Sequence, residues 1–360
     1  MFDNSVYELV NLGGGAENAA RREDWETIAV CMPDEDYAFL HESAIIFFHD
    51  RLFAAWYQNS RRELMGETPI FWTYSDDGGR TFAPKVRLVK KPEADMLYCP
   101  PVFGIDGDRL YMFINRMYRL PDHIHSLDLY EYNGETEEFE FLWTLPLPFK
   151  LNTNAVRLDN GKLMLPGRIG EMDGLAETPA CLISDSGRID AEWRLVPMAA
   201  DSSLPDGSRY IYPEQTVIAH GGDLTMFCRT DENVVPLLYR SKDFGESWEG
   251  PLRHTVPVSN SKIYAGTLSD GRDYLLANVF PGRRKLALFV RDGKNSLFRC
   301  AGLLQDGVNP LLPCDGEQWS YPAACEHGGR LYVIYTGEVD VRDGAARRGA
   351  FLTVINIGSI

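Results

Sequence analysis

One hairpin is written six times along this chain, and that repetition constrains the fold more than any single motif. Each copy is an apolar run, a turn of Asp, Asn, Gly or His, a basic or polar residue, and a second apolar run. The copies are IIFFHDRLFAAW, VFGIDGDRLYMFIN, AVRLDNGKLMLPGR, TVIAHGGDLTMFCRT, GTLSDGRDYLLAN and AACEHGGRLYVIYT. Aligned on the first large residue after the turn, they fall at Leu52, Leu110, Leu163, Leu224, Tyr274 and Leu331, in steps of 58, 53, 61, 50 and 57 residues. Short runs of Tyr, Phe, Val, Leu and Trp, broken by Gly, Asp, Asn and Pro, are the pattern of antiparallel strands, and helical periodicity is scarce. A period in the fifties leaves room for four strands and their loops, arranged radially. The expectation is an all-β chain: a six-bladed β-propeller of four-stranded antiparallel blades, using residues 1–360 as one domain.

A second repeat follows the hairpins. YSDDGGRTF (74–82) and SKDFGESW (241–248) share one frame: Ser75/Ser241, Asp77/Asp243, Gly79/Gly245, Thr81/Ser247 and Phe82/Trp248. Weaker echoes, SDSGRIDAEW from Ser184 and RDGKNSLF from Arg291, stand at similar distances after their own hairpins. The frame suits the turn between third and fourth strands. There Asp and Ser bond backbone N–H groups, Gly supplies positive φ, and the aromatic packs between blades. A calcium loop is excluded, because it needs a longer run of spaced oxygen ligands and a terminal Glu. The frame S-x-D-x-G-x-[ST]-[WF] resembles the Asp-box (BNR) repeat, and six blades carrying it resemble the sialidase superfamily, over roughly residues 38–340. The resemblance implies an N-terminal strand completing the last blade, which TIAVCMP (27–33) would supply beside the C-terminal GAFLTVINI.

The formal charge of −16 and the pI of about 4.9 argue against a general nucleic-acid or anionic-membrane binder. Seven cysteines are dispersed with no CxxC pair, which reads as buried reduced thiols. The start MFDNSVYELVNLGGG lacks the basic and apolar regions of a signal peptide, so the expected location is the cytoplasm, or outside it if a leader has been removed. NLGGGAEN lacks the strand–helix context of a phosphate loop, and His123-x-His125 has no third ligand in view, so neither cofactor nor metal is expected. The oligomeric state is not legible.

In a propeller the first strand of each blade is innermost, and its start shares a rim with the end of the second strand. That rim collects His41, Glu42 and Trp56; Tyr98, Asn115 and Arg116; Asn152, Asn154 and Arg168; Tyr212, Glu214 and Arg229; Asn260, Lys262, Tyr264 and Asn278, with Arg283 and Arg284 just beyond; and Tyr321 and Tyr335. Aromatics, amides and arginines in one ring suit a sugar that carries a carboxylate. The superfamily resemblance implies a Tyr nucleophile polarised by a Glu. The matching positions are Glu214 in YPEQTV, Arg229, Arg283 or Arg284 in NVFPGRRK, and Tyr321 in QWSYPAACEHGG.

Two departures stand out. Where the superfamily has an early Arg in blade one, FLHESAII carries His41 and Glu42. Where it has an acid/base Asp, QNSRRELMGETP offers Glu63 or Glu67, of which Glu67 is the choice, with His41 as the other proton donor. The expected activity is exo-acting hydrolysis of a terminal acidic sugar, with a carbohydrate as the partner. Arg229, Arg283, Arg284, Arg168, Asn154, Trp56 and Tyr264 would bind it. A third arginine from Arg168 or Arg116 would favour sialic acid. The alternatives are a polysaccharide lyase with His41 or a Tyr as base, and a sugar-binding propeller without catalysis.

Overall fold

The computed structural model describes residues 6–10, 16, 19–88, 93–118, 123–170, 177–200, 202–204, 206–230, 236–307, 318–343 and 345–360. Its strands form six sheets, joined within each blade by antiparallel pairing. Blade one comprises Phe39–Phe48, Arg51–Asn59, Ile70–Ser75 and Val86–Arg87. Blade two is Met96–Asp106, Arg109–Tyr118, Ile124–Asn133 and Glu138–Leu145. Blade three has a split first strand, Phe149–Leu151 and Val156–Arg157, then Leu163–Ile169, Thr178–Ser184 and Arg194–Pro197. Blade four is Gln215–His220, Asp223–Cys228, Leu237–Ser241 and Glu249–His254, with Val6–Tyr7 added parallel at its outer edge. Tyr264–Thr267, Asp273–Asn278, Lys285–Arg291 and Arg299–Asp306 make blade five. Blade six is Trp319–His327, Arg330–Arg342 and Ala345–Asn356, and its fourth strand is Glu26–Cys31 from the other end of the chain.

Each blade is covered by a neighbour on both faces, so inner strands read as continuous apolar runs rather than strict alternation. The apolar side chains collect between blades. Phe53, Trp72, Phe103 and Phe139 fill the space between blades one and two; Phe113, Phe149, Leu165 and Trp193 fill that between two and three. No disulfide joins the described cysteines, and Cys314 lies outside the described residues, as does NLGGGAEN apart from Ala16.

Where first strands meet around the axis, backbone groups lack a sheet partner, and asparagines supply one. Asn115 Nδ2 donates to the Phe149 carbonyl at 2.6 Å while its Oδ1 accepts from Leu151 N at 2.7 Å. Asn154 accepts from Phe103 N at 2.9 Å and donates to the Ile45 carbonyl at 2.8 Å. Asn152 accepts from Gln215 N, and Asn278 donates to the Trp319 carbonyl. These amides tie one blade to the next.

The two Asp-box turns are near-copies in space. Ser75 Oγ donates to Asp77 at 2.8 Å and accepts from Gly79 N at 2.8 Å; Ser241 repeats both bonds at 2.8 Å with Asp243 and Gly245. Asp77 and Asp243 each accept from the backbone N–H four residues on, at 2.9 Å. Those donors hold Asp77 down to about 2, with the Thr81 hydroxyl the largest cause. Gly79 and Gly245 have φ of +85° and +86°, and a Cβ there would meet Leu352 of blade six at 2.6 Å or Met164 of blade three at 2.4 Å. The turns therefore fasten neighbouring blades, at the end of the sheets away from the rim.

Candidate functional site

A cavity of about 490 Å³ opens at the rim, and all six blades line it. Blade one contributes Glu42, Tyr57, Glu63, Leu64 and Met65, and blade two Cys99. Lys150 and Arg168 come from blade three, Tyr212, Glu214 and Arg229 from blade four or its approach, Arg283 from the loop of blade five, and Tyr321 from blade six.

A repeated distortion aims several of these side chains. In blade one the pairing jumps from His41–Tyr57 to Ala44–Ala55, so Glu42 and Ser43 oppose the single residue Trp56. Blade six jumps from Ser320–Thr336 to Ala323–Ile334 around Tyr321 and Pro322. Blade two does the same around Cys99 and Pro100. Each is a β-bulge at the same register, and its first residue, Glu42, Cys99 or Tyr321, faces the cavity. Glu42 and Tyr321 have φ of +53° and +58°; Leu64 and Tyr212, also lining, have +55° and +50°. Four of the eight described non-glycine residues in the left-handed region thus border this one cavity, a concentration of strain that points to function.

Arg229 is the hub. Its Nη1 donates to Glu214 Oε2 at 2.7 Å and to the Tyr321 hydroxyl at 2.8 Å. Two guanidinium groups stand over the Tyr212 ring, Arg168 at 5.5 Å and Arg229 at 5.6 Å. Arg283 and Lys262 lie over the Tyr321 ring at 5.6 and 5.9 Å. Arg168 pairs with Glu177 at 2.5 Å. Three arginines, 168, 229 and 283, therefore share the cavity.

The charges act on one another. Burial raises the Tyr321 phenol far above its ordinary value and Glu214 adds to the rise, with Arg229 and Arg283 opposing both; the hydroxyl keeps its proton at neutral pH. Burial also works to raise Glu214, but Arg229, Arg168 and Lys262 outweigh it and hold the carboxylate ionised. Glu63 is raised, first by desolvation and then by Glu42. Its side chain is still 54% exposed at the cavity mouth, and solvent there screens the shift.

The structure redistributes the expected residues. It brings Tyr321, Glu214, Arg229, Arg283 and Arg168 together. Glu67 is a correction: its carboxylate turns to the surface and pairs with Arg87 at 3.2 Å, and Glu63 takes the place at the cavity. Trp56 and Tyr264 are corrected too, since both are buried in the core that joins blades five, six and one. Trp56 sits opposite a bulge, so it points away from the cavity that Glu42 enters. Asn154 serves the blade junction, and Arg284 is an exposed side chain packed over Gly307.

His41 lies behind the lining, 1% exposed, its ring 4.1 Å from the Tyr321 ring and its Nε2 4.0 Å from Glu63. Burial and the nearby Arg348, Arg283 and Lys262 push it well below 6.5, so it is a neutral ring that packs rather than an imidazolium that donates. Arg116 pairs with Glu93 outside the cavity. Lys150, Cys99 and Tyr57 went unread. The signal for Lys150 was a lone lysine inside the apolar stretch LPFKLN; for Cys99 it was the proline pair that follows, because proline within a strand marks an edge or a bulge. Among the described residues no group of three or more His, Cys, Asp or Glu is placed to hold a metal.

A family model described as a BNR repeat-like domain matches residues 50–333. The chain belongs to that family. Among solved structures, this BNR repeat-like chain is similar to a mutant of Trypanosoma rangeli sialidase displaying trans-sialidase activity, at a TM-score of 0.70 and 14% identity over 95% of this chain and 60% of that one. The T. rangeli sialidase in complex with 2,3-difluorosialic acid, described as a covalent intermediate, gives 0.69 and 15% over the same shares. The K499G mutant of NanB sialidase from Streptococcus pneumoniae gives 0.67 and 11%, covering 92% of this chain and 70% of that one. The chain spans about 60% of the length of the T. rangeli structures. No curated protein matches the sequence. The fold is the six-bladed propeller that these sialidase structures share.

Proposed function

We propose that this chain is an exo-acting glycoside hydrolase that releases a terminal acidic sugar. The observation that carries the reading is the Arg229 hub, which joins a buried carboxylate and a buried phenol at the wall of a cavity that two more arginines share. Tyr321 Oη attacks the anomeric carbon as its proton passes to the Glu214 carboxylate. The glycosidic C–O bond breaks, and the leaving oxygen takes the proton of Glu63. Water, deprotonated by Glu63, then attacks the same carbon, and Tyr321 leaves and recovers its proton from Glu214. A neutral phenol suits this task because a carboxylate nucleophile would repel the substrate's own carboxylate. Arg229, Arg283 and Arg168 hold that carboxylate by charge-assisted hydrogen bonds. The covalent intermediate described for the T. rangeli sialidase supports a covalent route on this fold.

The test is turnover of aryl glycosides of nonulosonic, octulosonic and hexuronic acids by the wild type and by Tyr321→Phe. At least one glycoside should be hydrolysed, the variant should lose at least about 10³-fold with its circular dichroism unchanged, and a 2,3-difluoro sugar should label Tyr321 by mass spectrometry. Undiminished turnover by the variant overturns the mechanism. Release of a product with the ultraviolet absorbance of an unsaturated uronate replaces hydrolysis with elimination.

A further inference from the structure

Glu42 is a buried acidic side chain without a partner among the described residues. It is 6% exposed, it lines the cavity, and it is held at φ +53° by the blade-one bulge. Among the described residues its carboxyl makes neither a hydrogen bond nor an ion pair, while Glu214, as deeply buried in the same cavity, is paired with Arg229 at 2.7 Å. Lys262, 3% exposed and over the Tyr321 ring, feels Glu42 as its strongest favourable charge, yet the two form no ion pair. A largely buried carboxyl that faces the cavity without a protein partner, on a left-handed backbone, costs the empty protein stability, and such a group persists where a ligand satisfies it.

The chemistry of the missing partner follows from the charges present. A carboxylate is an acceptor only, so the partner must donate: hydroxyls, or an ammonium group. The cavity is lined by four cations (Lys150, Arg168, Arg229 and Arg283) and three carboxylates (Glu42, Glu63 and Glu214). Burial pushes Lys262, beside Tyr321, down from the ordinary lysine value, with Glu42 the first charge opposing the fall. The lining itself carries one more cation than carboxylate, which suits a ligand with one carboxylate better than one with an ammonium group. We infer that Glu42 is a specificity-determining residue that accepts hydrogen bonds from hydroxyls of the bound sugar, so that the site selects a polyhydroxylated monocarboxylate. The inference rests on the acidic-sugar reading of this cavity.

Titration calorimetry with three probes tests it: 2-keto-3-deoxynononic acid, glucuronate, and cyclohexanecarboxylate, a ring acid without hydroxyls. The sugar acid that the wild type binds better should bind about 10- to 100-fold more weakly to Glu42→Gln, the worth of a hydrogen bond to a charged group. Cyclohexanecarboxylate should bind the variant more tightly than the wild type, because Glu42 repels it and offers it nothing. The melting temperature of Glu42→Gln should rise, and that of Glu42→Asn, which tolerates left-handed backbone, should rise as well. Unchanged sugar binding in Glu42→Gln, a parallel loss for both kinds of acid, or a fall in melting temperature in both variants overturns the role of Glu42 while leaving the hydrolase reading intact. Failure of the wild type to bind any of the three acids overturns both.

Discussion

Replacing Arg229 by methionine separates the stability of the site from its chemistry. One guanidinium nitrogen serves both Glu214 at 2.7 Å and Tyr321 at 2.8 Å, and Glu214 is only 3% exposed. Removing one member of such a pair leaves a buried charge uncompensated and costs about 3–5 kcal/mol. Removing both charges, in Arg229→Met with Glu214→Met, should bring stability back to within about 1–2 kcal/mol of the wild type, because desolvation of the pair offsets most of its attraction. Urea unfolding with linear extrapolation measures both values, and an unchanged slope confirms that the same structure is lost. Turnover should be absent in the single and the double variant alike.

The pH dependence gives a second reading of the same event. In the wild type, burial works to raise Glu214 but the cations hold it below the ordinary 4.5. Its contribution is complete above 4.5 and is lost as pH falls through the lower folded value. Without Arg229 the largest opposing charge is gone and burial prevails, so the folded value rises above 4.5. Protonation then relieves the buried charge, and the stability deficit of the single variant should shrink as pH falls from 7 towards 5. A deficit under about 1 kcal/mol, or one that is constant over that range, refutes the claim that Arg229 is what keeps Glu214 ionised.

Two further outcomes follow from particular contacts. Glu63→Gln should lower kcat/KM by about 10²-fold or more on a substrate with a poor leaving group, and Glu67→Gln should leave it unchanged; equal losses would return Glu67 to the site. Gly79→Ala should cost more stability than Gly161→Ala in urea unfolding. Both glycines have φ near +86°, but a Cβ at Gly79 meets Leu352 at 2.6 Å and one at Gly161 meets nothing within 4 Å. Backbone strain of about 1–2 kcal/mol is common to both, so the difference, about 1–3 kcal/mol, isolates the packing of the Asp-box turn on blade six.

What the sequence revealed and what it hid divide along one physical line. The hairpins were legible because six copies carry the same apolar and turn chemistry, and the Asp-box frame because its Ser, Asp and Thr or Ser side chains bond one another and the backbone within four residues. Tyr321, Glu214 and Arg229 were legible because they stand at strand ends that topology alone brings to one rim. Which way a rim side chain points is a different matter. Side chains alternate along a strand, and one extra residue reverses the alternation beyond it. The bulges at Glu42, Cys99 and Tyr321 do this. They send those residues into the cavity, and opposite them Trp56 and Tyr335 pack in the core and Asn115 bonds across a blade junction. Trp56 and Tyr335 have the composition of a sugar platform but the parity of a core.

The bulge had a trace in two blades, Pro100 and Pro322, and none in blade one, where Ser43 fills the same register. Glu42 could not have been told from an ordinary strand-end glutamate for that reason. Its significance rests on a coincidence that only coordinates disclose. The same distortion that presents the Tyr321 phenol from blade six presents the Glu42 carboxyl from blade one, and on the proposed reading one sugar meets both. A change of residue at the first position of a bulge alters what the cavity recognises and leaves every blade pairing in place. That is a physical route by which one propeller fold can serve different acidic sugars.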